Sequence, residues 1–148
     1  QLPDEVASHF NGAGQADGWM SKSGFVSLAM LVQFGTAAFL LGIGRITRML
    51  PNSIINIPNK GYWLAEERRA ATLRDTAYML AWIAAATGIF FLFIFQMSFD
   101  ASINESNGIN MIVFLVATAA YVAFVIGSCI HHTMKYNRIP KSDDSLIT

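Results

Sequence analysis

Charge is what this chain has least of. Only 14% of its 148 residues are Asp, Glu, Lys or Arg, against roughly 25% in an ordinary soluble domain. Ten acidic and ten basic residues cancel, so no global field exists to draw in nucleic acid. A single cysteine, Cys129, excludes an internal disulfide and a cysteine-based zinc site. The sequence has no glycine-rich phosphate loop, nucleophile elbow, HExxH or CxxCH, the patterns that nucleotide, acyl-transfer, metalloprotease and haem chemistry use.

The missing charge is concentrated in three runs. Residues 24–44, 76–99 and 109–130 contain no Asp, Glu, Lys or Arg over 21, 24 and 22 positions. As a helix the second run reaches about 36 Å at 1.5 Å per residue, enough to cross a hydrocarbon core of about 30 Å. It is uncharged on every face, so it is not an amphipathic helix resting on a soluble core. The fold class this predicts is all-α, a polytopic transmembrane protein with three spans. An ion-coupled transporter or proton relay normally carries an ionisable group inside a span, and these runs have none.

Orientation follows from where the basic residues lie. Arg45, Arg48, Lys60, Arg68, Arg69 and Arg74 sit between the first two runs, and Lys135, Arg138 and Lys141 follow the third. Lys22 alone precedes the first. The positive-inside rule then places loop 45–75 and tail 131–148 in the cytoplasm, and residues 1–23 outside as an extracytoplasmic segment. Residues 24–148 form the transmembrane domain. The localisation expected is a bacterial inner membrane, multi-pass, with the N-terminus outside. The chain begins at Gln1, and an outside N-terminus implies an upstream signal peptide or a further span.

In the outer segment, Asn11-Gly12 and Asp17-Gly18 predict two tight turns, because Gly takes positive φ without strain and Asn or Asp bonds the local backbone. Trp19 lies where an indole suits the headgroup layer. Phe10 is a second apolar anchor, folded back under the loop, and His9 with Asp17 would close the turn by a hydrogen bond with no metal required. His9, Phe10, Asn11, Asp17 and Trp19 are the candidate recognition residues. His131 and His132, about 100° apart on a helix, are poor partners for one metal. Residues 104–106, Asn-Glu-Ser, form a glycosylation sequon.

Each span offers small residues on one face: Gly35 and Gly42 in the first, Ala81 and Gly88 in the second, Ala123 and Gly127 in the third. Such positions let backbones approach in lipid, where no hydrophobic effect drives helices together, so these six are the expected packing sites. Gln33 is expected to make an interhelical hydrogen bond, worth about 0.6–2 kcal/mol. In the loop, residues 51–60 hold two prolines and are not a long helix. From Tyr62 the sequence reads as helix running straight into the second span. Tyr62 and Trp63 would anchor its start, and Glu67, Arg68 and their neighbours would form a solvated charged face or a docking surface.

Two stretches resemble a known family. Leu2-Pro3, His9-Phe10-Asn11, Gly14, Asp17-Gly18-Trp19 and Ser21-Lys22 are similar to the signature LP…HFN..G..DGW.SK of a bacterial membrane domain of unknown function. That domain also forms the N-terminal part of SdpI-type immunity proteins. Asn56-Ile57-Pro58-Asn59-Lys60, Tyr62-Trp63-Leu64-Ala65 and Glu67-Arg68 resemble its NIPNK.YWL…ER stretch. The resemblance implies a transmembrane helix before the LP motif and an integral membrane protein without known catalysis, tied in some relatives to toxin-peptide immunity and signalling. The long second half of full SdpI proteins is not found here.

The function expected is therefore non-catalytic: an accessory or interaction subunit packed against a larger membrane complex, with no cofactor. Its partners would be membrane lipid and other membrane subunits, with no nucleic acid and no small-molecule substrate identified. The alternative is an immunity or envelope-signal protein that binds a peptide through residues 1–22.

Overall fold

A computed structural model describes residues 3–103 and 108–140. The sequon at 104–106, together with Lys141, Asp143 and Asp144 of the tail, lies outside the described residues. Three helices are long and apolar enough to cross a membrane: α1 (Lys22–Ile46, extended by a 3-10 turn at Thr47–Met49), α3 (Glu66–Ile103) and α4 (Met111–Tyr136). A one-turn helix, α2 (Lys60–Trp63), precedes α3. The structure is mostly helical with three candidate spans, as expected, and adds one element. Residues 5–21 form an antiparallel hairpin of β1 (Glu5–Phe10) and β2 (Ala16–Ser21).

Local chemistry sets the helix ends. Ser21 caps α1, its Oγ accepting from the Gly24 N–H at 3.2 Å, and Asn110 Oδ1 accepts from the N–H groups of Ile112 and Val113 at the start of α4. Both satisfy donors that a helix N-terminus leaves unpaired. The third span thus starts at Met111, with Ile109 and Asn110 in the connection. Leu50 takes an extended backbone, φ −75° and ψ 145°, as the residue before Pro51 must. The expected helix from Tyr62 breaks after Trp63 and restarts at Glu66. From there it runs unbroken for 38 residues, about 57 Å, well over the roughly 30 Å of a hydrocarbon core.

α3 is the centre of the fold. α1 and α4 each pack on it as antiparallel neighbours. Gly44 of α1 meets Ala77, where a Cβ on the glycine would lie 3.3 Å from the Ala77 Cα and Cβ. Gln33 lies against Gly88 in mid-helix, and Phe25 packs on Phe95 and Phe99 with ring centroids 5.9 and 5.2 Å away. On the other side Tyr121 stacks on Phe90 at 4.5 Å and shares a hydrogen bond with Thr87 at 2.9 Å.

The packing residues expected from sequence divide. Gly88 is at a contact and Ala81 is half-buried. Gly35, Gly42 and Gly127 would meet nothing within 4 Å if given a Cβ, and Ala123 is exposed. The close crossing is made by Gly44, about 160–180° around α1 from Gly42 and Gly35, on nearly the opposite side of the helix. Gln33 also departs from expectation: its Oε1 is buried without a hydrogen-bond partner among the described residues. The helix opposite presents Gly88, which has no side chain to donate.

Candidate functional site

Apart from the Thr87–Tyr121 hydrogen bond, the polar contacts between elements among the described residues gather at the two ends of α3. At the end formed by Ser98–Ile103 sits the hairpin. Its turn is built by Asn11, whose Oδ1 accepts from the N–H groups of Ala13 and Gln15 at 2.9 and 3.1 Å, while its carbonyl accepts from Gly14 N–H at 2.9 Å. Gly14, not Gly12, takes the left-handed backbone, φ +81°. The second expected turn, at Asp17-Gly18, does not exist: both residues are in β2. Gly18 is required for a different reason. It lies opposite His9, and a Cβ there would come within 2.8 Å of the His9 Cβ.

The hairpin is docked, with Val6 and Ala7 fully buried. The Ala7 N–H donates to Ser102 Oγ at 2.8 Å, and Ser98 and Ala101 are buried beneath it. The Ile109 N–H donates to the Gly14 carbonyl at 2.8 Å, tying the turn to the start of α4. Residues 1–33 match the family described as a domain of unknown function, DUF1648. The matched stretch is the hairpin with the first turns of α1, and the loop motif at 56–68 lies outside it. No curated protein and no solved structure matches the chain.

Of the five recognition candidates the hairpin brings three together. His9, Phe10 and Asn11 line a cavity of about 290 Å³ over Ile94, Met97, Ile109 and Phe114. Asp17 reaches it only through His9, whose Nδ1 it pairs with across the strands. Trp19 is on β2 opposite Ala7 and stays 40% exposed, away from the cavity. Asn11 has spent its side-chain oxygen on the turn, so the polar groups open to a ligand are Ser8, His9 and the Asn11 Nδ2, over an apolar floor that Phe10 shares.

The opposite end is a latch between loop, α3 and α4. Ile55, Leu64 and Leu73 form a small buried cluster with Leu50 and Ile57 against it, so the loop folds back over α3. Arg69 pins it, donating to Asn52 Oδ1 at 2.9 Å and to the carbonyls of Arg48 and Leu50 at 3.2 and 2.7 Å. Arg68 donates to the Tyr62 carbonyl and lies over its ring at 4.0 Å. Trp63 Nε1 and Asn59 Nδ2 both donate to the Tyr136 carbonyl, at 2.8 and 3.1 Å, capping the end of α4. Asn59 is the one non-glycine described with positive φ, +50°.

The charged face expected from sequence divides. Tyr62, Trp63, Arg68 and Arg69 are built into the latch, while Glu66, Glu67 and Arg74 stay exposed. What the sequence reading missed is the carboxylate at its centre. Asp75 accepts from the Tyr136 hydroxyl at 2.7 Å and pairs with Lys135 at 2.9 Å, with His132 at 3.7 Å. His132 also shares a hydrogen bond with Thr76 at 3.2 Å. A signal was present: Asp75 and Tyr136 are each about seven to eight helical turns from the connection between α3 and α4, so an antiparallel pair brings them level.

The order Asp75, His132, Thr76 is that of a hydrolytic triad, but the geometry is not. At 3.7 Å the carboxylate does not hydrogen-bond the imidazole. Thr76 also donates to the Thr72 carbonyl at 3.1 Å, inside a helix whose N–H groups are occupied and offer no oxyanion donors. Among the described residues no group of three His, Cys, Asp or Glu is placed to hold a metal. Chemically, this end can fix three chain segments together and present positive charge beside them.

Proposed function

We propose that the chain is a non-catalytic interaction subunit of a larger membrane assembly, in a bacterial inner membrane with the hairpin outside and the latch in the cytoplasm. The observation that carries the reading is the use of α1 and α4. Each contacts α3 along one side, and the small residues Gly35 and Gly42 of α1 remain on an open face outside any groove the helices form. Small residues on an open transmembrane face favour close approach of another helix. The test is co-purification in a mild detergent. Association with other membrane proteins that Gly35→Leu weakens supports the reading, and a chain that runs only at its own 16.2 kDa overturns it. Orientation has its own test, in a chain with Cys129→Ser. Gly12→Cys should be labelled by an impermeant thiol reagent on intact cells and Ser53→Cys should not.

One observation favours a second reading, an SdpI-like immunity or envelope-signal protein. The hairpin and the latch are joined by a single unbroken helix, α3, so a peptide seated against His9 and Phe10 has a rigid connection to the loop. A peptide ligand would change the exchange of Val6 and Ala7 and also the accessibility of Ser53→Cys. A change confined to the hairpin would remove this reading.

A further inference from the structure

Beside the latch, α3 and α4 line a groove of about 570 Å³, within the range of about 300–1,000 Å³ typical of small-ligand sites. It is divided along its length. One end is apolar, with Met79, Trp82, Ala123, Phe124 and Gly127; the other holds Asp75, His131, His132 and Lys135. It abuts a second hollow of about 300 Å³ over the shared residues Asp75, Tyr78 and Lys135, and that hollow adds Arg74.

We propose that this groove binds one anionic phospholipid, its phosphate taken by Lys135 and Arg74 and one acyl chain lying along Gly127 and Ala123. Depth is the first argument. Lys135 and Ala123 are about 18 Å apart along α4, close to half of a hydrocarbon core of about 30 Å, so the groove runs from the headgroup layer to the end of one leaflet. The charged groups stand just beyond the uncharged runs that end at residue 130 and begin at residue 76, where a phosphate lies. Tyr78, 60% exposed, occupies the boundary as aromatic side chains do, and Trp82, 70% exposed, lies one turn deeper, level with the acyl chains.

Charge is the second argument. Asp75 is the one carboxylate lining either hollow, and the Tyr136 hydroxyl and Lys135 already occupy it. Lys135 has two further N–H donors, and Arg74 has no hydrogen-bond or ion-pair partner among the described residues. Asp75 set against Lys135 and Arg74 leaves one net positive charge from these three groups, and basic pockets between transmembrane helices suit anionic headgroups. Gly127 contributes shape, since nothing lies within 4 Å of where its Cβ would be and an acyl chain can take that space.

The test uses the full chain in vesicles doped with phosphatidylglycerol or phosphatidylcholine, each with brominated acyl chains that quench tryptophan. The Trp82 signal is the difference between the native chain and Trp82→Phe. Phosphatidylglycerol should quench Trp82 at a several-fold lower mole fraction than phosphatidylcholine. Arg74→Gln should reduce that preference about fivefold, the weight of one basic side chain near an anionic surface, and Gly127→Leu should remove it. Arg74 is exposed and partnerless, so its variant leaves the latch intact. Equal quenching by the two lipids, or a preference that neither Arg74→Gln nor Lys135→Gln changes, overturns the proposal. So does a Trp82 shielded from both lipids, the sign of a protein helix in the groove.

Discussion

The two ends of α3 are held in different ways. At the hairpin end the fastening is backbone and burial: Val6 and Ala7 without exposed surface, strand pairing, and one serine hydroxyl. At the latch end it is side chains: Arg69 on three acceptors, Trp63 and Asn59 on one carbonyl, and Asp75 between Tyr136 and Lys135. The first kind depends on glycine geometry and tolerates little change of shape. The second spreads over many partly exposed groups and loosens by degrees, because each net hydrogen bond is worth only about 0.5–1.5 kcal/mol.

The largest effect should come from the hairpin. Gly14→Val places a β-branched residue at positive φ and drives its Cβ within 2.8 Å of the Ile109 carbonyl. We expect a loss of about 2–4 kcal/mol, seen as fast hydrogen exchange at Val6 and Ala7. Gly12→Val, with open space around it, should leave those amides protected. Equal damage from both would mean that the turn is not anchored through Gly14.

Next is the helix crossing that both ends share. Gly44→Leu should force α1 from Ala77 and lower stability in detergent by about 1–3 kcal/mol, whereas Gly35→Leu should be close to neutral in the isolated chain. The reverse order would put the contact face of α1 where the sequence stripe lies.

Arg69→Gln should cost about 1–2 kcal/mol and expose residues 51–65 to protease, with Val6 and Ala7 exchange unchanged. A simultaneous loss of hairpin protection would break the comparison by making the two ends one cooperative unit. The smallest effect concerns the ion pair of Lys135 and Asp75, partly exposed at 48% and 36%. Asp75→Asn should cost less than about 1 kcal/mol for the lost pairing with Lys135. High salt should lower the melting temperature of the native chain slightly and that of the variant less.

Composition and charge spacing alone determined the three spans, their approximate limits and the absence of a soluble core, because a membrane crossing is a property of each segment by itself. Asn11 and the glycines marked a turn on the same local grounds. Which glycine carried it was decided by contact: Gly14 meets Ile109 and Met111, residues nearly a hundred positions away. Facing was decided the same way. A stripe at four-residue spacing says that small residues share a side of a helix, and only the rotation of α1 against α3 selects Gly44 over Gly35 and Gly42. The latch lay furthest from the sequence, since Asp75, Tyr136, Trp63 and Arg69 each have ordinary surface-residue neighbours in the chain. They become one construction only when an antiparallel helix pair and a folded-back loop bring them to the same level.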